Sequence, residues 1–136
     1  MRMNPPDRVL IVDPRPIFRE TLAGQLRAAG REVVAAETGE RGFLLLRDPS
    51  QKIGWLYTRA ALSGLVDGWI LADEYHGTCP GRPAVLWACN GGPAGQGHIV
   101  LEQPGPGAVA SVLGRLVREE AAQRHPSTSE IQRHAA

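Results

Sequence analysis

No apolar run in this chain of 136 residues approaches the length of about 18 residues that a membrane span requires. The opening residues, Met-Arg-Met-Asn-Pro-Pro-Asp, lack the apolar segment of a secretory leader. A cytoplasmic compartment and no membrane partner are therefore expected. Charge of one sign is equally scarce. Fifteen Lys and Arg against fourteen Asp and Glu leave a formal charge of +1, and the basic residues are scattered. Without a clustered basic face there is no field to draw in nucleic acid. Cysteine is limited to Cys79 and Cys89, which invite a metal reading beside His76 and His98. Their spacing matches no common zinc pattern. The apolar run 84–88 between the cysteines reads as a strand that holds them about 17 Å apart. Two reduced thiols and no metal are expected.

What the chain does have is a succession of short apolar runs separated by helix-like segments. Residues 9–13, 32–36, 53–58, 84–88 and 98–101 read as strands, the third leading into Arg59. Pro16 suits a first helical turn, where its missing N–H costs nothing. Ile17, Phe18, Leu22, Leu26 and Ala29 then form a stripe at helical spacing, stopped by Gly30. Thr38 is placed to cap a helix over residues 40–47, ended by Asp48-Pro49. Asp67 is placed to cap another over 68–76, ended by Gly77 and Pro80. Val109, Val112, Leu113, Leu116 and Val117 mark a last amphipathic helix. Trp55 and Trp87 lie inside strands and are expected in the core, whereas Trp69 begins a helix and is the candidate for a surface role. The chain divides into a lead-in (1–7), one domain (8–124) and a polar, breaker-rich tail (125–136) expected to be mobile.

This order predicts a doubly wound α/β fold. One crossover is anomalous. Nine residues, Cys89-Asn-Gly-Gly-Pro-Ala-Gly-Gln-Gly97, separate the fourth and fifth strands, where a parallel crossover usually takes about a dozen or more and includes a helix. Four glycines and a proline will not form one, so a Gly-rich loop is expected in place of the fourth crossover helix.

With strand ends and order placed, the chain resembles the receiver domain of bacterial two-component response regulators. The resemblance runs from about Arg8 to Val117. Val9-Leu-Ile-Val-Asp13 resembles the first strand with its acidic end. Leu56-Tyr-Thr-Arg59 followed by Leu62-Ser-Gly64 resembles the third strand and its turn. Gly64-Leu-Val-Asp-Gly-Trp-Ile-Leu-Ala72 resembles the start of the third helix, and Glu102-Gln-Pro104 the Lys-Pro step after strand five. The resemblance implies a flavodoxin-like, five-stranded parallel sheet in the order 2-1-3-4-5. It also implies phosphoryl transfer onto an aspartate at the end of strand three, with Mg²⁺ held by carboxylates.

That chemistry needs a carboxylate nucleophile, a metal with oxygen ligands and a partner for the phosphoryl oxygens. The position implied for the nucleophile holds Arg59, which has no lone pair to offer and is always protonated. Pro14 follows Asp13 where a second acid is implied. Gln103 stands at the lysine position, and Ala88 or Cys89 at the hydroxyl position. Of five implied positions only Asp13 is retained. The chain is therefore read as a stand-alone degenerate receiver, not an enzyme, without cofactor. It is expected to act in signalling by binding a protein partner, such as a kinase or an output protein, independently of phosphate. Arg59 is expected within salt-bridge range of Asp13, because strands one and three are neighbours about 4.8 Å apart.

Self-association is also expected, through the surface left open by the missing helix. Alternate residues of Val85, Leu86, Trp87, Ile99, Val100 and Leu101 would be exposed there, and Trp87, Ile99, Leu101 and Val109 are the candidate interaction residues. The alternative is a small-molecule, nucleotide or anion-binding module built from the Gly-rich loop and Arg59.

Overall fold

The computed structural model describes residues 7–89 and 97–124. The strands are β1 (Arg8–Val12), β2 (Val33–Ala36), β3 (Ile53–Arg59), β4 (Val85–Ala88) and β5 (Ile99–Glu102). They form one sheet in the order β2-β1-β3-β4-β5, with every neighbouring pair parallel. The helices are α1 (Pro16–Ala28), α2 (Gly39–Arg47), α3 (Gly68–Thr78) and α4 (Pro106–Arg124), with a 3₁₀ turn at Pro49–Gln51. Both the sheet and the order expected from the sequence are observed. No helix lies between β4 and β5 among the described residues. Most of the Gly-rich loop, residues 90–96, and the tail expected to be mobile, residues 125–136, lie outside them. None of the described helices is long and apolar enough to cross a membrane.

Helix boundaries follow local chemistry. Pro16 opens α1, and Gly30 beyond its end takes φ +85°, the left-handed conformation glycine adopts without steric cost. Thr38 Oγ1 accepts from the Arg41 N–H at 3.1 Å and Asp67 Oδ1 from the Ile70 N–H at 2.9 Å, so α2 and α3 each begin on a side-chain cap. Helix α3 runs two residues past the expected stop at His76.

The alternation of strand side chains divides the core into two layers. Val9, Ile11, Trp55, Tyr57, Val85 and Trp87 pack with Leu22, Leu26, Val109 and Leu113 of α1 and α4. Leu10, Val12, Leu56 and Leu86 pack with Leu45, Leu46, Leu71 and Tyr75 of α2 and α3. Two glycines of the second layer permit close approach: a Cβ at Gly39 would overlap the Val66 carbonyl, and one at Gly68 the Arg59 carbonyl. Gly68 thereby lets α3 start directly against the end of β3.

Two expectations about the β4–β5 region are corrected. Trp87 and Val109 are buried, and Ile99 and Leu101 are half-buried against the same layer. All four belong to the face covered by α1 and α4, so they do not form the proposed open surface. The reason is the two-residue period of a strand: among the apolar residues of β5 only Val100 packs on the α2–α3 side. On that side Leu86 is fully buried, so β4 is not bared. Trp55 and Trp87 are core residues, as expected.

Candidate functional site

The carboxyl ends of β1, β3, β4 and β5 converge, as they do wherever parallel sheets gather their chemistry. Asp13 follows β1 and is completely buried. A buried carboxylate needs partners for both oxygens, and Asp13 has them. Oδ1 accepts the backbone N–H of Arg15 at 2.9 Å and its side-chain Nε at 3.0 Å. Oδ2 accepts an Arg15 terminal guanidinium nitrogen and the Tyr57 hydroxyl, each at 2.8 Å. Arg19 donates to the Asp13 carbonyl oxygen at 2.8 Å. The turn Asp13-Pro14-Arg15 makes this possible, because an aspartate readily accepts from the backbone two residues on.

Burial alone would raise the Asp13 carboxyl. The hydrogen bonds from the Arg15 side chain, the Arg15 backbone and Tyr57 outweigh it and hold the carboxyl below its ordinary value. Tyr57 moves the other way: burial first, then the neighbouring Asp13 charge, push its phenol well above the usual range.

The expectation that Arg59 pairs with Asp13 is overturned. The partner is Arg15, two residues away in sequence, which closes its ion pair at little cost in chain entropy. Arg59 lies opposite Trp87 in the β3–β4 register, and its guanidinium carbon stands 4.4 Å from the centre of the Trp87 indole. Arg15 contacts the same indole at 4.5 Å and the Phe18 ring at 4.2 Å. Phe18, Arg15, Trp87 and Arg59 thus form a cation–π series across the strand ends. Arg59 Nε is buried and has no hydrogen-bond partner among the described residues.

The remaining positions singled out in the sequence sit nearby. Pro14 is exposed. Ala88 and Cys89 line an open cleft of about 350 Å³ with Ala60, Ala61, Asp67, Trp69 and Trp87. Gln103 adopts φ +46° and donates from its side chain to the Cys89 carbonyl at 3.3 Å. The Trp87 indole N–H donates to the Pro104 carbonyl at 3.1 Å. The structure therefore links Asp13 to Trp87 through Arg15 and Arg59 to the same Trp87, while Ala88 and Cys89 line the cleft beside Trp87 and Gln103 is tied to it through the Cys89 carbonyl.

Sequence reasoning missed Arg15 and Tyr57. An arginine two residues after an acid at a strand end was the available signal for the first. For the second it was a phenol two residues before the end of the strand that neighbours Asp13's.

The residue that ends β3 is Arg59, a guanidinium and not a carboxylate. Asp13 has both oxygens engaged by cationic or hydroxyl donors. A guanidinium stacked on an indole beside a cleft offers a means of recognising an anion.

No family model matches the sequence, and no curated protein matches it at a significant level. The fold recurs widely among solved structures. A response regulator receiver protein from Sinorhizobium medicae is 22% identical over 82% of this chain and 94% of its own, with a TM-score of 0.69. The receiver domain of the hybrid histidine kinase CckA is 24% identical over 80% of this chain and 97% of its own, with a TM-score of 0.66. The signal receiver domain of an HD domain-containing protein from Pseudomonas fluorescens is 17% identical over 93% and 98%, with a TM-score of 0.68. The strand order, helix placement and these likenesses together establish that the chain adopts the fold of response-regulator receiver domains.

Proposed function

We propose that this receiver-fold domain serves two-component signalling as a protein-interaction module that does not depend on its own phosphorylation. The observation that carries the reading is the complete engagement of Asp13. Its carboxylate takes four donated hydrogen bonds, from Arg15 and Tyr57, while Arg59 ends the strand where a nucleophilic carboxylate would be needed. A metal ligand must offer free lone pairs, and displacing Arg15 would leave a guanidinium between two aromatic rings without its counter-charge. A guanidinium that stays protonated offers no lone pair with which to attack a phosphoryl group. What remains is a fixed surface at the strand ends, built by packing and independent of any covalent switch.

The test is incubation with acetyl phosphate and Mg²⁺ followed by intact-mass measurement. The expected result is no gain of one phosphate, with the thermal melting curve unchanged by Mg²⁺. A hydroxylamine-labile phosphate adduct would overturn the reading.

A further inference from the structure

Arginines stacked on aromatic rings recur in this molecule, and their counter-charges follow a pattern. Arg15 lies over Phe18 and Trp87 and pairs with Asp13 at 2.8 Å. Arg47 lies over Phe43 and pairs with Glu74 at 3.6 Å. Arg82 lies 4.4 Å over Trp55 and is gripped by both carboxylate oxygens of Glu120. Arg59 stacks on Trp87 as closely as Arg82 does on Trp55, at 4.4 Å. It alone of the four has no carboxylate within ion-pair distance among the described residues, and its Nε–H is buried without an acceptor. That nitrogen is closed to solvent, so an incoming carboxylate meets the outer edge of the planar fork, the two terminal nitrogens, with two parallel bonds. Arg19, whose side chain donates to the Asp13 carbonyl oxygen, adds a further positive charge beside Asp13.

We propose that Arg59 is the docking anchor for an acidic side chain of a partner protein, whose carboxylate completes the stack on Trp87. The proposal rests on the protein-interaction reading above and names the chemistry that the partner brings. The cleft beside it fits a segment in which an apolar residue adjoins the acid. Apart from Asp67 and Cys89 its lining is apolar, with Ala60, Ala61, Trp69 and Ala88, and about 350 Å³ admits one medium-sized side chain. A phosphate group fits less well. Asp67 also lines that cleft and repels a dianion more strongly than the single charge of a carboxylate, and the adjacent Arg15 is already held by Asp13. Residues 1–6 and 90–96 contain no Asp or Glu, so neither segment supplies the missing acid. Glu130 lies in the tail sequence and enters the test below.

The experiment follows the Nε–H signals of Arg59, Arg15 and Arg82 by NMR in the full chain at constant ionic strength. The probes are an acetylated, amidated Gly-Glu-Leu-Gly peptide, its Gly-Gln-Leu-Gly counterpart and inorganic phosphate. The Glu peptide is expected to shift the Arg59 signal saturably, to leave Arg15 and Arg82 in place, and to bind roughly tenfold more tightly than the Gln peptide. Arg59→Gln is expected to abolish that preference. Arg59→Lys, which keeps the charge and loses the fork, is expected to retain only part of it.

Equal binding of the two peptides, or an Arg59 signal that moves only as Arg15 does, overturns the proposal while the phosphate-labelling result still stands. Tighter binding of inorganic phosphate than of the Glu peptide overturns the choice of a carboxylate. A shift of the Arg59 signal on Glu130→Gln without peptide marks the chain's own tail as the occupant and overturns the assignment to a partner.

Discussion

Two polar clusters lie at opposite ends of the sheet, and they differ in how completely their groups are partnered. At the carboxyl ends of β1 and β3, Asp13 is buried to zero exposure and every oxygen of its carboxylate meets a donor. Beyond the other end, where α3 runs toward its last turn and β5 begins, His76 and His98 meet edge to face with ring centres 5.8 Å apart. The Nδ1 atoms of both are buried without a hydrogen-bond partner among the described residues. The first cluster is assembled by a turn, with Tyr57 buried in the layer under α1 and α4 and Arg15 held against Phe18 and Trp87. The second sits on the flank between α3 and β5, where no described helix intervenes. A buried polar group is stabilising only as part of a completed network. The Asp13 cluster is therefore a lock, and the histidine pair is a soft point in the same fold.

The largest expected effect comes from opening the lock. Asp13→Ala removes the acceptor for Arg15 and Tyr57 at once. Breaking a fully buried pair by deleting one partner costs about 3–5 kcal/mol. Here the Arg15 side chain is 35% exposed and regains part of its hydration, so the expected loss falls to roughly 2–3 kcal/mol. Urea denaturation measures it. A loss no greater than that of an ordinary surface substitution would remove the distinction between the two clusters. Tyr57→Phe is the milder version. It deletes one hydrogen bond to a charged acceptor without leaving a hole, and about 1–2 kcal/mol is expected. The same variant should let the Asp13 carboxyl rise toward its ordinary value, read from the carboxyl carbon shift in an NMR titration.

The difference between the clusters also explains what was legible in the sequence. Strand positions, helix caps at Thr38 and Asp67 and the sheet order all follow from short-range pattern, and the structure shows them where the pattern puts them. The shortness of the β4–β5 crossover was legible for the same reason, while the Gly-rich loop expected there lies mostly outside the described residues. The site was only half legible. That Asp13 and Arg59 stand at neighbouring strand ends follows from topology, but topology does not choose between competing cations. Arg15 takes Asp13 because its own backbone N–H already binds Oδ1, which pre-positions its side chain. Arg59 is then left to Trp87, its register neighbour in β4. The orientation of β5 was misjudged because a missing crossover helix was equated with an exposed strand. Strand period, not crossover length, decides which of Ile99, Val100 and Leu101 faces that side.

The smallest expected effect, and the one that sharpens the comparison most, is the pH dependence at the soft point. Burial and the neighbouring His76 lower the His98 imidazole below its ordinary value of 6.5, while Asp73 pulls weakly the other way. The sign follows from proton uptake. Between the folded and unfolded values the unfolded chain binds the proton and the folded chain does not, so stability rises with pH through that interval. His98 therefore costs the fold nothing above 6.5 and progressively destabilises it as the pH falls below 6.5 toward the lowered value. Asp13 acts in the same direction but over a separate range. Its contribution is present above the ordinary aspartate value of 3.8 and is lost as the pH falls through the still lower folded value. Urea midpoints at about pH 8 and about pH 5.5 thus sample the histidine pair while leaving Asp13 ionised. His98→Gln is expected to flatten the slope between them. His76→Gln is expected to shrink it, by removing one of the two causes that depress His98. An unchanged slope in His98→Gln would show that the pair is hydrated and partnered by solvent, and that the two clusters are equally closed.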